Sequence, residues 1–284
     1  MPEGDTIYRS ATRLRTALAG AVVERVEAPR WVGPMPAVGE RIESVESVGK
    51  HLHMTFSGGL VLATHMKMDG SWHLYRRGER WRRSRSSMRV WIETADWQAV
   101  CFLAPVVNFT SSPQIAGDGS PRRVAGTEHL GPDLAQPTPD LDECVERFSL
   151  LGPSVSIAEA LLDQRVCCGV GNVFKSEICW AARLDPFSPV ADTGTALRRQ
   201  LVEIAHGQLR ANLNTGRRTT VPGGVAVYGH RGEPCRRCST LIRYRRHGIH
   251  ARSTYWCPGC QTSPPSSVET TNPIRRSTSS RGPR

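Results

Sequence analysis

The apolar and polar positions change rhythm several times along the chain. Over residues 5–19 (DTIYRSATRLRTALA), Ile7, Leu14 and Leu18 recur at helical spacing, with Asp5 or Thr6 as N-cap. Residues 21–105 then break into short runs rich in β-branched side chains: VVERVEA, RIESVESV, HLHMTF, GGLVLATH, RVWIETA and QAVCFLA. Gly and Pro turns separate them, which predicts an antiparallel sandwich or barrel. Between two of these runs lies RRGERWRRSRSS (76–87), too polar for a core, which predicts a mobile basic loop. From 154 to 214 the helical period returns in SVSIAEALLDQRV, NVFKSEICWAARL and TALRRQLVEIAHGQLRANL, with a glycine-rich GVG between the first two.

The expected organisation is α+β and multidomain. Residues 1–120 form an N-terminal antiparallel β-sandwich domain led by a helix, and 121–150, with LGPDL and several prolines, a linker. Residues 151–222 form a helical domain, and 223–261 a small cysteine module. Residues 262–284 have almost no apolar content and are expected to be disordered. No internal repeat is present.

Composition narrows the function. The net charge of +11 comes mostly from arginine and points to a polyanionic partner, because each basic side chain set against a phosphate releases condensed counterions. No apolar run approaches a membrane span, and the N-terminus lacks a secretion signal. The expectation is a soluble, intracellular (cytoplasmic) monomer with no membrane partner and no small-molecule cofactor.

Five of the nine cysteines, Cys101, Cys144, Cys167, Cys168 and Cys179, are scattered and read as buried thiols in a reducing compartment. The other four follow C-x2-C-x18-C-x2-C: Cys235, Cys238, Cys257 and Cys260. That is zinc-ribbon spacing. Four thiolates leave no position for a catalytic water, so one structural zinc ion is expected, holding a segment too small to fold alone. The hairpin between the pairs carries Arg243, Arg245, Arg246 and Arg252, suited to a phosphate clamp.

The chain begins MPEGDT. Removal of Met1 ahead of a small residue would leave Pro2 at the terminus. An α-amino group titrates near about 7.7–8 and is partly unprotonated at neutral pH. A secondary amine attacking an aldehyde-level carbon gives an iminium that cannot discharge by losing an N-proton, an electron sink for elimination. Glu3 stands beside it as a candidate proton donor. Taken alone, Pro-Glu reads more readily as a helix lead-in than as a catalytic pair.

"MPEGDT", "GKHL" (49–52), "QRVCCGVGNVFKSEICW" (164–180), "VYGHRGEPCRRC" (227–238) and "RSTYWCPGCQ" (252–261) occur in this order. With them the chain resembles the formamidopyrimidine-DNA glycosylase/endonuclease VIII family over about residues 1–261. The PEG start is more like the endonuclease VIII branch, whose substrates are chiefly oxidised pyrimidines. The resemblance implies a helix–two-turn–helix domain and a zinc-ribbon β-hairpin. It implies Pro2 as Schiff-base nucleophile, Glu3 as general acid and Lys50 as phosphate contact and aid to protonation. Asn172 and Arg252 would bind backbone phosphate, Arg252 beside the lesion. Met68 would fill the gap left by a flipped base, with Lys67 and Asp69 in the same loop. Damaged DNA is the implied partner.

Two departures stand out. Many members carry glutamate where this chain has Thr6, so any supporting acid there is missing or is supplied by Asp5. No Arg-x-Phe-type insertion loop is found around 105–115, where the chain reads PVVNFTSS. Two other readings stay open: the same chemistry on oxidised purines, and a catalytically silent zinc DNA-binding protein on the same scaffold.

Overall fold

In the computed structural model, residues 2–111, 124 and 126–264 are described. The first helix, α1 (Gly4–Leu18), turns Ile7, Ala11, Leu14 and Leu18 inward, all buried. Eight strands follow: β1 (Arg25–Glu27), β2 (Ile42–Val48), β3 (His51–Phe56), β4 (Leu60–His65), β5 (Ser71–Arg76), β6 (Met88–Glu93), β7 (Trp97–Phe102) and β8 (Val106–Ser111). They form two four-stranded antiparallel sheets, ordered β1-β6-β7-β5 and β2-β3-β4-β8. The α1 stripe packs with Ile42, Leu52, Met54, Phe56, Ile92 and Phe109 in one core. Each such aliphatic or aromatic side chain contributes about 1.5–3 kcal/mol by leaving water.

The second half is helical: α2 (Leu141–Glu146), α3 (Ile157–Ala160), α4 (Asn172–Ala181) and α5 (Thr195–Ala211). Phe148, Leu161, Phe174, Ile178, Leu201 and Leu209 join in its core. A two-stranded ribbon, β9 (Arg243–His247) with β10 (Arg252–Trp256), completes the fold. No helix among the described residues is long and apolar enough to cross a membrane.

Several expectations change. The segment 154–166 supports only one helical turn, α3, closed at its start by a Ser156–Glu159 capping box. The linker drawn at 121–150 ends early, because Cys144, Val145 and Phe148 are buried in the second core. Residues 112–123 and 125, the tail from 265 onward, and Met1 lie outside the described residues. The loop 76–87 is anchored rather than mobile. Trp81 lies edge-on to Trp91 and Phe102, with centroids 5.0 and 5.8 Å away, and its Nε1 donates to Gln98 Oε1 at 3.0 Å. The five scattered cysteines are all buried, and burial pushes the thiols of Cys101, Cys167 and Cys179 up to about 12.

Candidate active site

The two halves meet at the start of the chain. Glu3 has no exposed surface, and its carboxylate sits on the N-terminus of α4. Oε2 accepts from the N–H groups of Gly171 (3.1 Å) and Phe174 (3.3 Å), and Oε1 from that of Val173 (2.9 Å). These are otherwise orphan donors at the positive end of the helix dipole. The glycine-rich turn makes the approach possible. A Cβ on Gly171 would stand 2.3 Å from Glu3 Cδ, and Gly169 adopts φ 108°, open to glycine. Gly4 N–H also donates to Gly169 O at 2.9 Å, so Pro2 is fixed at the boundary between the two halves.

A second clamp lies one residue on. Arg218 donates to Asp5 from Nε (2.8 Å) and Nη2 (2.6 Å), a bidentate pair with the carboxylate fully buried. Its Nη2 also reaches Thr6 Oγ1 at 3.0 Å, and Nη1 lies 3.7 Å from Glu3 Oε1. Arg9 adds an ion pair to Asp5 at 3.4 Å and donates to the carbonyls of Asn212 and Thr215. Asp5 is thus a buried carboxylate paired with Arg218, and Thr6 serves as a hydroxyl partner of the same guanidinium.

Lys50 follows Gly49 in the β2–β3 turn, and Gly49 N–H is held across the boundary by Asp133 Oδ2 at 2.9 Å. Burial, with the cation of Arg252 also opposing its charge, lowers the Lys50 ammonium to about 8, while Glu3 pulls the other way. Lys50, Glu3 and Arg252 thus share one electrostatic neighbourhood although they come from the β2–β3 turn, the N-terminus and β10.

Asn172 is the first residue of α4 and is buried, but the N-cap is Gly171 and Asn172 makes no cap hydrogen bond. The capping that its position suggests is done by Glu3. Arg252 is exposed at the start of β10, opposite His247. The rest of α4 organises what surrounds it. Lys175, 1% exposed, donates from Nζ to Ser253 O (2.7 Å) and Thr254 Oγ1 (2.8 Å). Ser176 Oγ accepts from Tyr255 N–H at 3.3 Å. The buried Glu177 accepts from the N–H groups of Ala226 (2.6 Å), Val227 and Tyr228 (both 2.9 Å) and from the Thr220 hydroxyl. One helix therefore holds the N-terminus, the 220–228 loop and the ribbon.

Met68 lies in the β4–β5 turn and is 53% exposed, while Met66 beside it is buried. Lys67 takes φ 47° and its N–H donates to His65 Nδ1 at 3.0 Å. His65 pairs in register with His51, the rings 4.7 Å apart and edge-on. Burial, then the neighbouring imidazoles of His65 and His53, pushes His51 down to about 3, and burial, then Lys67 and Lys50, pushes His65 to about 4, so both are neutral near pH 7.

In the ribbon the thiol sulfurs of Cys235, Cys238, Cys257 and Cys260 all lie within 4.8 Å of one another. Trp180 Nε1 (3.4 Å) and Arg237 N–H (3.5 Å) donate to Cys235 Sγ, as suits a thiolate. The donor set and its spacing fit one tetrahedral zinc.

Sequence reasoning had not singled out Arg218, Lys175, Glu177, Asp133 or the histidine pair. The first three are charged residues wholly or largely buried with several partners each, a signal that exists only once the chain is folded.

Two sandwiched sheets, a helical half joined to them by the buried Glu3, and a four-cysteine ribbon define the architecture of a known enzyme class. Residues 1–105 match the formamidopyrimidine-DNA glycosylase N-terminal domain. The chain is 38% identical over 272 residues to a Streptomyces coelicolor protein named "Probable endonuclease 8 2", covering 93% of this chain and 95% of that one. It is 36% identical to a DNA-(apurinic or apyrimidinic site) lyase of Mycolicibacterium smegmatis, over 93% of this chain and all of that one. The fold superposes with TM-score 0.76 on Lactococcus lactis formamidopyrimidine-DNA glycosylase bound to DNA containing an abasic site, at 21% identity, over 92% of this chain and 100% of that one. The chain belongs to the formamidopyrimidine-DNA glycosylase/endonuclease VIII family.

Proposed function

We propose that Pro2, freed by removal of Met1, is the nucleophile of this enzyme. The protein is a bifunctional DNA glycosylase and abasic-site lyase acting on oxidised bases, the chemistry of its family. The carrying observation is Glu3. Its three backbone hydrogen bonds at the start of α4 hold the adjacent Pro2 between the two halves, beside the neighbourhood of Lys50 and Arg252.

In the proposed reaction the Pro2 nitrogen attacks the anomeric carbon of the damaged nucleotide. The bond to the base breaks, and the base leaves with a proton. The sugar ring opens as its oxygen takes a proton, with Glu3 as donor in its protonated form. The iminium then acidifies the neighbouring carbon, and loss of that proton expels the 3′ phosphate, followed by the 5′ phosphate. Lys50, Asn172 and Arg252 bind the flanking phosphates, and Met68, with Lys67 beside it, occupies the space of the extruded base. Zinc would be held by Cys235, Cys238, Cys257 and Cys260 and would supply folding stability alone.

Oxidised pyrimidines are the expected main substrates, supported by the endonuclease 8 designation of the Streptomyces relative. Excision rates on thymine glycol and 8-oxoguanine duplexes test this; faster purine excision would reverse it. The chemistry is tested by borohydride trapping on an abasic-site or dihydrouracil oligonucleotide, using protein with a free N-terminus. A covalent complex lost in Pro2→Gly is expected; trapping that survives Pro2→Gly would defeat the assignment.

A further inference from the structure

The end of β5 and the β5–β6 loop carry six arginines, Arg76, Arg77, Arg80, Arg82, Arg83 and Arg85, against a single acid, Glu79. Half of them are accounted for by the fold. Arg77 pairs with Glu24 and Glu93, Arg85 pairs with Glu27 at 3.0 Å, and Arg76 lies over the Trp97 ring at 3.8 Å. Glu79 accepts from the Arg76 backbone N–H at 3.1 Å. The side chains of Arg80, Arg82 and Arg83 are exposed and have no acidic partner among the described residues.

The loop that carries these three is held at several points. Trp81 is fixed as described above, Arg82 N–H donates to Tyr75 Oη at 3.2 Å, and Gln98 Nε2 donates to the carbonyls of Arg76 (3.0 Å) and Glu79 (3.3 Å). A cavity of about 670 Å³ opens between the loop and Trp91. Three arginines within four positions of an anchored loop, with no acidic partner, repel one another, a cost that bound phosphate would relieve. Because the loop is already ordered, little further ordering would be needed on binding.

A fourth cation joins from another element. Arg13 of α1 is exposed, and it, Arg82 and Arg83 all bear on the charge of His73 in β5. Arg13 lies nine residues beyond Gly4, about 14 Å along the helix axis. That is about four steps of a duplex rising ~3.4 Å per base pair.

The geometry points to a second phosphate-binding surface, Arg80, Arg82 and Arg83 with Arg13, that holds the duplex arm flanking the lesion. This rests on DNA being the substrate, and it adds a contact away from the reacting sugar.

The test compares wild type with R80Q/R82Q/R83Q on two duplexes carrying an uncleavable tetrahydrofuran abasic analogue. One is a dumbbell with about three pairs on either side of the lesion (~10 Å); the other has about fifteen pairs on either side. The variant is expected to bind the long duplex about tenfold or more weakly near physiological salt. The slope of log K against log salt should fall by about 2–3, each lost phosphate contact taking ~0.9. Affinity for the dumbbell, and trapping on its abasic-site counterpart, should not change. Equal affinity on the long duplex, or the same loss on both, would overturn the surface. If neither protein traps while the length-dependent loss persists, the nucleophile assignment falls and the surface stands.

Discussion

Lys175 reaches from the first turn of α4 to the carbonyl oxygen of Ser253, 2.7 Å from its Nζ. The same turn receives the carboxylate of Glu3. Glu3 and the strand beginning with Arg252 are therefore both held by the first turn of α4. Lys175→Met keeps the length and removes both hydrogen bonds from the ammonium, each worth about 1.5–3 kcal/mol. We expect a roughly tenfold or greater loss of DNA affinity with zinc content unchanged. If Lys175 acts through Arg252, K175M on an Arg252→Ala background should cost little more. A full additive loss would show that Lys175 acts elsewhere.

Gly4 tests how closely the halves must approach. A Cβ there would meet Gly169 Cα at 2.8 Å and Gly169 O at 3.1 Å, backbone atoms that cannot swing aside. Gly4→Ala should push the start of α1 off the glycine-rich turn, costing about 1–3 kcal/mol and displacing Pro2. Trapping should fall by well over about tenfold, since small misplacements of reacting groups are costly. The fall should exceed the loss of DNA affinity; wild-type trapping would mean that Pro2 is positioned some other way.

The period-3.6 stripe of α1 and the short strands were readable because their apolar residues face one core. β5 and β8 were not. SWHLYR and VVNFTS mix polar residues into edge strands, each paired on one side only, β5 with β7 and β8 with β4. The four cysteines were legible because metal spacing is local. Arg218 and Lys175 were not, because the meaning of each lies in partners more than 70 residues away. Loop 76–87 was misread as mobile because one tryptophan, Trp81, outweighs its polar composition.

The reaction should show opposing pH limbs. An α-amino nucleophile gains activity as it deprotonates near about 7.7–8. Lys50, lowered to about 8 chiefly by burial, is charged below that pH and would lose above it the phosphate contact proposed for it. Trapping should therefore rise and then fall with pH, the falling limb shifted upward if bound phosphate stabilises the ammonium. Lys50→Arg stays charged throughout. Its absolute rate is expected to drop, and its falling limb should disappear. A falling limb at the same pH in Lys50→Arg would assign that limb to another group.

Zinc removal separates the ribbon from the chemistry. The ribbon's own buried core is small: Ala226, Val227, Cys235, Ile242 and Cys257. Such a core cannot offset the entropy of ordering some forty residues, so metal ligation must supply much of the stability. The main body has independent cores, and the Glu3 contacts at α4 do not pass through the ribbon. Cys235→Ser, or a strong chelator, should release one zinc per chain in a colorimetric metal assay. The ribbon amides should lose hydrogen-exchange protection, while those of α1 and the sheets keep theirs. DNA affinity should fall by about tenfold or more as the β10 arginine is released. At DNA concentrations high enough to saturate the weakened protein, borohydride should still trap Pro2, at a reduced rate. Unchanged DNA affinity after stoichiometric zinc release would remove the ribbon from the DNA interface.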